Sequence, residues 1–72
     1  MSTASDSARE KLFEILEEAI EREHLSQQRY ALGASLANDP AVKEMFLRLV
    51  EDEMRHERML RERQMALKSK EG

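Results

Sequence analysis

The chain has 72 residues, of which 40% are hydrophobic and 38% are charged, and its formal net charge is -3. It contains no cysteine, which excludes disulfides, thiolate metal sites and thiol chemistry. A chain of this length buries too little apolar surface to be comfortably stable alone, so we expect one small domain stabilised by metal or by association. The acidic balance argues against nucleic-acid binding, and no apolar run is long enough to span a membrane.

The first predicted element is a long helix that follows a short leader. Met1 to Ser7 are small and polar and lack the apolar segment of a signal peptide, so we expect a flexible leader over 1-7 and a cytoplasmic protein. Ser7 and Glu10 have the spacing of a capping box, which predicts that the helix begins at Ala8. Gly33 is the weak point of this helix, although its small size suits close contact between helices.

A tight turn and a second helix follow. Asn38 tolerates the left-handed conformation that ends many helices, Asp39 is a good N-cap, and Pro40 fits the first helical position. The second helix is predicted to end near Lys68, leaving a tail over 69-72. The fold class is therefore all-α, an antiparallel two-helix hairpin over 8-68 with helices of roughly 28 residues each. Its acidic early part and basic end would face and attract each other.

Each predicted helix carries a stripe of residues spaced alternately by four and three. The stripe is apolar near its ends and polar in the middle. In the first helix it consists of Leu12, Leu16, Ala19, Glu23, Ser26, Tyr30, Gly33 and Ala37. In the second it consists of Val42, Phe46, Leu49, Glu53, His56, Leu60, Arg63 and Leu67. A carboxylate on a core seam needs a partner, because burying it unpaired is costly.

The polar residues of the two stripes are predicted to meet. Glu23, Glu53 and His56 all lie roughly 20–24 Å from the turn at 1.5 Å per residue. Glu53 and His56 form a Glu-x-x-His pair, whose spacing places both side chains on one helix face. A second hairpin packed with its turn at the opposite end would bring its own three residues to the same level. Divalent metal is the natural charge balance for four carboxylates and two imidazoles.

These features resemble the rubrerythrin and ferritin-like superfamily over about residues 12 to 62. Glu23 followed seven residues later by Tyr30 is similar to the first-helix pattern, and the stretch from Asp39 to Phe46 with Glu53 and His56 is similar to the second. The family site uses one Glu from each of two helices and a Glu-x-x-His from each of two others, so this chain has half a site. The resemblance is to short two-helix members, which complete a four-helix bundle by dimerising.

The resemblance implies a di-iron carboxylate protein that oxidises Fe(II) with oxygen or peroxide. Glu53 would bridge two metals, with Glu23 and His56 as terminal ligands, and Tyr30 would either pack in the core or hydrogen-bond a ligating carboxylate. Manganese or zinc also suits these ligands. The expected partner is a second copy in a homodimer or larger homo-oligomer. Some short relatives are cargo of encapsulin shells, so a protein shell or an electron donor is a further expected partner.

The residues also permit plainer interpretations. The hairpin could be a non-catalytic module that dimerises or docks to a partner helix, with the central charges as a buried polar layer that sets register. Glu53 and His56 could form an ion pair on a solvent-facing seam, and Glu23 could be one of many solvated glutamates. His24 is expected on the surface, and Glu57 is expected to be solvated rather than an outer ligand.

Overall fold

The protein is described by a computed structural model that covers residues 3–69. Two helices, α1 (Thr3–Leu36) and α2 (Pro40–Ser69), pack against each other as a hairpin, and the described range contains no strand. The molecule measures 58 × 14 × 11 Å, which is the shape of two long helices side by side. The all-α hairpin predicted from the sequence is confirmed. Over residues 3–69, neither helix has an apolar stretch long enough to cross a membrane.

The turn between the helices follows the predicted capping pattern at α2 and departs from it at α1. Asp39 Oδ1 accepts a hydrogen bond of 2.9 Å from the backbone N–H of Ala41, so Asp39 is the N-cap and Pro40 the first residue of α2. At the end of α1, the N–H of Ala37 donates to the carbonyl of Gly33 over 3.0 Å. No described residue has positive φ, so the left-handed conformation predicted at Asn38 is wrong.

The start of α1 also differs from the prediction. The helix already includes Thr3, so Ser7 and Glu10 lie inside it and the predicted capping box is wrong. At the other end, α2 continues through Ser69, one residue past the predicted end. Residues 1–2 of the predicted leader and 70–72 of the predicted tail lie outside the described residues. The division of the chain into leader, hairpin and tail stays a prediction.

The core of the hairpin is thin. Among the described apolar residues only Ile20 and Ala34 are buried, with 3% and 4% of their surface exposed, and Gln64 is the buried polar residue. The middle of the predicted α1 stripe is half-buried, as expected. Its first residue, Leu12, is exposed, and Phe13 is half-buried instead. The seam therefore follows the predicted α1 line except at its first residue.

The α2 stripe departs from the seam at three positions, since Val42, His56 and Arg63 are exposed. Gln64 takes the buried position that the pattern assigned to Arg63. An α-helix has 3.6 residues per turn, so a strict 3.5-residue stripe drifts around the helix over several turns. A single neighbouring helix also covers only part of the surface of each stripe. The rest of that surface is exposed to solvent in the hairpin.

The helices approach closely at Gly33. A Cβ atom at this position would lie 2.9 Å from Phe46 Cζ and 3.0 Å from two other atoms of the same ring, Cδ2 and Cε1. The aromatic ring therefore occupies the space that any other side chain would need. Phe46 also stacks on Tyr30 with ring centroids 6.2 Å apart. The close contact predicted for Gly33 is confirmed.

Two hydrogen bonds between a glutamine and a glutamate join the helices along the seam. Gln27 Nε2 on α1 donates to Glu57 Oε1 on α2 over 2.6 Å. Gln64 Nε2 on α2 donates to Glu17 Oε1 on α1 over 2.5 Å. Because the two directional bonds cross the seam at different heights, together they oppose sliding of one helix along the other.

In the described part of the chain, each ion pair made by a lysine or an arginine joins two residues of the same helix. The spacing is three or four residues, and the pairs are Lys11–Glu14, Arg48–Glu44, Arg55–Asp52 and Arg61–Glu57. The predicted attraction between the acidic and basic regions is therefore not made through direct pairs of these cations across the seam. The ion pairs that cross it involve histidine instead, as His24–Glu57 and His56–Glu23.

Candidate metal centre

Three potential metal ligands converge at the middle of the hairpin. Glu23 comes from α1, and Glu53 and His56 come from α2, with one ligand atom of each within 4.8 Å of the others. His56 Nδ1 lies 3.0 Å from Glu53 Oε1 and 3.3 Å from Glu23 Oε2. The predicted meeting of these side chains is confirmed, and their role as ligands or catalytic residues stays a prediction.

Helix geometry explains why they meet. Glu23 lies 13 residues before Leu36, the end of α1, and Glu53 lies 13 residues after Pro40, the start of α2. In two antiparallel helices joined by a short turn, equal distances from the turn place residues at the same height. His56 is three residues beyond Glu53, so it projects from the same side of α2 about one turn further along.

The two carboxylates are withdrawn from solvent, whereas the imidazole is open. The side chains of Glu23 and Glu53 are 21% and 16% exposed, and that of His56 is 56% exposed. The apolar neighbours Phe46 and Leu60 are half-buried. The carboxylates therefore lie on the packed seam and are not members of a fully solvated glutamate face. The group is closed on the seam side and open at His56.

One oxygen in this group, Glu23 Oε2, is buried and accepts no hydrogen bond. His56 Nδ1 is near it, but this nitrogen carries at most one proton, and its hydrogen-bond geometry favours Glu53. A buried oxygen without a donor is costly, and a cation bound among these atoms would satisfy it. The residues present therefore fit a metal ion.

The raised pKa of Glu23 also favours a bound metal ion. Burial raises the pKa of Glu23 above its ordinary value of 4.5, and the charge of Glu53 and a hydrogen bond with Glu53 raise it further. His56 opposes these effects. Two carboxylates crowded in a half-buried place resist ionising together, and bound metal would relieve that repulsion. Carboxylate oxygens and imidazole nitrogen suit iron, manganese and zinc.

Tyr30 packs within the hairpin, which was the first of its two predicted roles. Its half-buried ring stacks on Phe46, and its hydroxyl makes no hydrogen bond with Glu23 or Glu53. Its alternative role as the hydrogen-bond partner of a ligating carboxylate stays a prediction.

Glu57 differs from its predicted solvated state. Its side chain is only 17% exposed, Oε1 accepts a hydrogen bond from Gln27, and Oε2 accepts one of 2.8 Å from Arg61 Nε. The hydrogen bonds from Arg61 and Gln27 lower the pKa of Glu57, so this carboxylate is held ionised. His24, predicted on the surface, is exposed and lies 3.8 Å from Glu57.

Gln27 is a residue of this region that the stripe pattern did not predict. A signal for it was present, because Gln27 and Glu57 each lie four residues after a predicted ligand, Glu23 and Glu53 respectively. Residues four apart share a helix face, so each of these polar residues was foreseeable as a neighbour of a ligand. The hydrogen bond between them was not, since they lie on opposite sides of the ligands along the hairpin and their meeting depends on the angle at which the helices pack.

The comparisons with known proteins agree with the geometry. The rubrerythrin family model matches residues 14–72, a range that includes Glu23, Glu53 and His56. No curated protein and no solved structure matches the chain. Rubrerythrins have a ferritin-like fold that typically binds iron, in keeping with the carboxylate and histidine group found here. The match covers most of the sequence, and the chain belongs to the rubrerythrin family.

Proposed function

We propose that two copies of this chain form a four-helix bundle that binds a pair of Fe(II) ions and oxidises them with oxygen or peroxide. The observation that carries this proposal is the convergence of Glu23, Glu53 and His56 around a buried oxygen with no hydrogen-bond donor. Membership of the rubrerythrin family makes iron the favoured metal. The proposed role is iron handling or protection against oxidative stress.

The need for a second copy follows from the incomplete site and the open side of the hairpin. One chain supplies three ligands, and His56, the most exposed of them, lies on α2 in line with the exposed apolar residues Val42, Met45 and Met59. Successive positions are separated by three, eleven and three residues, and these separations keep to one helix face because eleven residues make about three full turns. An apolar strip that continues past a half-open polar group is suited to a second hairpin, which would cover the strip and complete the site.

The chain's own residues have distinct proposed roles. By analogy with the ferritin-like carboxylate proteins, Glu53 would bridge the two ions, and Glu23 and His56 would bind one each. Burial and the charge of Glu53 raise the pKa of Glu23, so bound metal would compete with protons for this carboxylate. Iron is the substrate: two Fe(II) ions together give up two electrons, which reduce oxygen to hydrogen peroxide or peroxide to water.

The test is an anaerobic titration of the metal-free protein with Fe(II), followed by exposure to air while near-ultraviolet absorbance is recorded. We expect a signal that saturates near one iron per chain and is lost in Glu53→Ala. Glu62→Ala is the matched control, because Glu62 is an exposed glutamate of the same helix and should leave the signal unchanged. An intact dimer with no saturable signal would contradict the proposal.

One observation favours a second candidate, a non-catalytic dimerisation or docking module. The three polar residues partly satisfy each other without metal, through the His56–Glu53 hydrogen bond and the His56–Glu23 ion pair. A polar layer of this kind can set register alone. If it does only that, replacing Glu23, Glu53 and His56 with Leu should stabilise the dimer, and added Fe(II) or Co(II) should leave the melting temperature of the wild type unchanged.

A further inference from the structure

We propose that Gln27 and Glu57 are positioning residues of the metal centre: their hydrogen bond holds Glu23 and Glu53 at the separation at which both bind the same ions. This inference rests on the proposed function, since it concerns the same centre. It adds a residue pair that neither touches the metal nor belongs to the Glu-x-x-His pattern.

The hydrogen bond between these residues is short and withdrawn from solvent. Gln27 Nε2 and Glu57 Oε1 are 2.6 Å apart, Gln27 is half-buried, and the side chain of Glu57 is 17% exposed. A hydrogen bond to a charged carboxylate is stronger than one between neutral groups, and partial burial shields it from competing water. Arg61 holds the second oxygen of Glu57 over 2.8 Å, so the carboxylate cannot rotate freely.

The position of this bond ties it to the ligands. Gln27 lies four residues after Glu23 on α1, and Glu57 lies four residues after Glu53 on α2. Residues four apart are neighbours on one helix face, about 5–6 Å between Cβ atoms. Because the helices are antiparallel, Gln27 lies one turn nearer the loop than Glu23. Glu57 lies one turn farther from the loop than Glu53, so the bond between them crosses the level of the ligands diagonally. A change in its length would shift Glu23 relative to Glu53.

Apolar packing is too sparse near the centre to fix this separation by itself. The buried apolar residues of the described chain are Ile20 and Ala34, on either side of the centre along α1. Small apolar contacts are non-directional and tolerate sliding, whereas a hydrogen bond requires a defined distance and angle. A metal centre needs its ligands placed within about 0.5 Å. A directional bond that spans the level of the ligands provides that precision.

The same bond keeps a third carboxylate away from the centre. Both oxygens of Glu57 are engaged, one by Gln27 and the other by Arg61. Glu57 is next to His56 in sequence and one turn from Glu53, so without these partners it would be an additional carboxylate free to approach the centre. Gln27 thus helps to limit each chain to three ligands, which leaves coordination positions for an oxidant.

The test uses Co(II) binding to the metal-free full chain, followed by its visible absorbance, and needs no oxidation. Wild type and Glu53→Ala are titrated first, and this comparison alone decides whether a metal centre exists. Gln27→Leu is then expected to bind Co(II) about 10-fold or more weakly, the scale on which partners beyond the ligands act. Its Co(II) spectrum should also change in band position or intensity, because the ligand geometry changes.

The matched control is Gln64→Leu. It removes the other hydrogen bond between the helices, that of Gln64 with Glu17, at a distance from the ligands. It should lower the unfolding midpoint to a similar extent, yet keep the wild-type Co(II) affinity and spectrum. The double variant Gln27→Glu with Glu57→Gln exchanges the donor and the acceptor between the helices. It should restore both the Co(II) affinity and the spectrum. If Gln27→Leu does not fold, Gln27→Asn provides the comparison, because its shorter side chain cannot span the bond.

Two results would overturn the proposal. The first is a wild-type affinity and spectrum in folded Gln27→Leu or Gln27→Asn while Glu53→Ala has lost binding. The second is an equal loss in Gln64→Leu, which would mean that the hairpin responds only to general destabilisation. Absence of Co(II) binding in the wild type would instead refute the metal centre itself, and with it this dependent role.

Discussion

Replacing Gly33 with alanine should destabilise the protein, although alanine is the better helix former. The substitution gains about 1 kcal/mol in helix propensity. Against this, the new Cβ would lie 2.9 Å from Phe46 Cζ and 3.0 Å from Cδ2 and Cε1, well inside ordinary carbon–carbon contact. Because three ring atoms are equally close, rotating the ring does not remove the overlap, and the whole ring must move.

The ring has little freedom to move away. It is half-buried and stacked on Tyr30. Forcing extra volume into such a contact costs about 1–3 kcal/mol, so the net effect of Gly33→Ala is a loss of about 1 kcal/mol and at most about 2. The larger Gly33→Val should cost more, since a β-branched residue adds volume and loses helix propensity.

A double-mutant cycle separates the two contributions. Urea unfolding followed by circular dichroism, at one fixed protein concentration, gives the free energy of unfolding of the wild type, Gly33→Ala, Phe46→Ala and the double variant. With the ring removed, Gly33→Ala should stabilise by about 1 kcal/mol, so the sign of its effect reverses. Stabilisation by the same amount in both backgrounds would refute the reasoning, because the close approach would then carry no energetic weight.

Two further predictions concern charge and capping. Because the pKa of Glu23 is raised in the folded state, the stability linked to this group is fully present below its ordinary value of 4.5 and is lost as pH rises through the raised pKa. Glu57 has a lowered pKa and acts in the opposite direction. The quantity to measure is therefore the difference in the free energy of urea unfolding between metal-free wild type and Glu23→Gln, from about pH 4, near the ordinary glutamate pKa, to about pH 8. The advantage of the variant should grow with pH, and a constant difference would contradict the assignment. Asp39→Ala should cost about 1 kcal/mol by removing the N-cap of α2, whereas Asp39→Asn keeps an acceptor and should cost less, and equal losses in urea unfolding would show that the cap oxygen is not the cause.

Short-range sequence patterns predicted much of the hairpin. The scarcity of helix breakers, together with Asp39 and Pro40, predicted two long helices and the position of the turn, because capping and proline geometry depend on only a few neighbouring residues. Counting from the turn then predicted that Glu23, Glu53 and His56 meet. This succeeded because the rise per residue of a helix is constant, so height along a hairpin can be read from residue numbers.

Local signals gave wrong predictions at both ends of α1. Ser7 and Glu10 have the spacing of a capping box, but this spacing does not by itself fix where a helix begins. The helix α1 already includes Thr3. Asn38 tolerates the left-handed conformation, yet the chain passes into the cap at Asp39 without using it. A tolerated conformation is not a required one.

Sequence alone determined the helices, the turn and the height of the three converging side chains, because these follow from contacts within a few residues and from the fixed rise of the α-helix. The tertiary structure alone decided which side of each helix faces its neighbour. That choice buries Gln64 in place of Arg63, places the Phe46 ring over Gly33, and joins Gln27 to Glu57. It depends on the rotation and crossing of two packed helices, which side-chain shape and hydrogen bonding settle only when both are present.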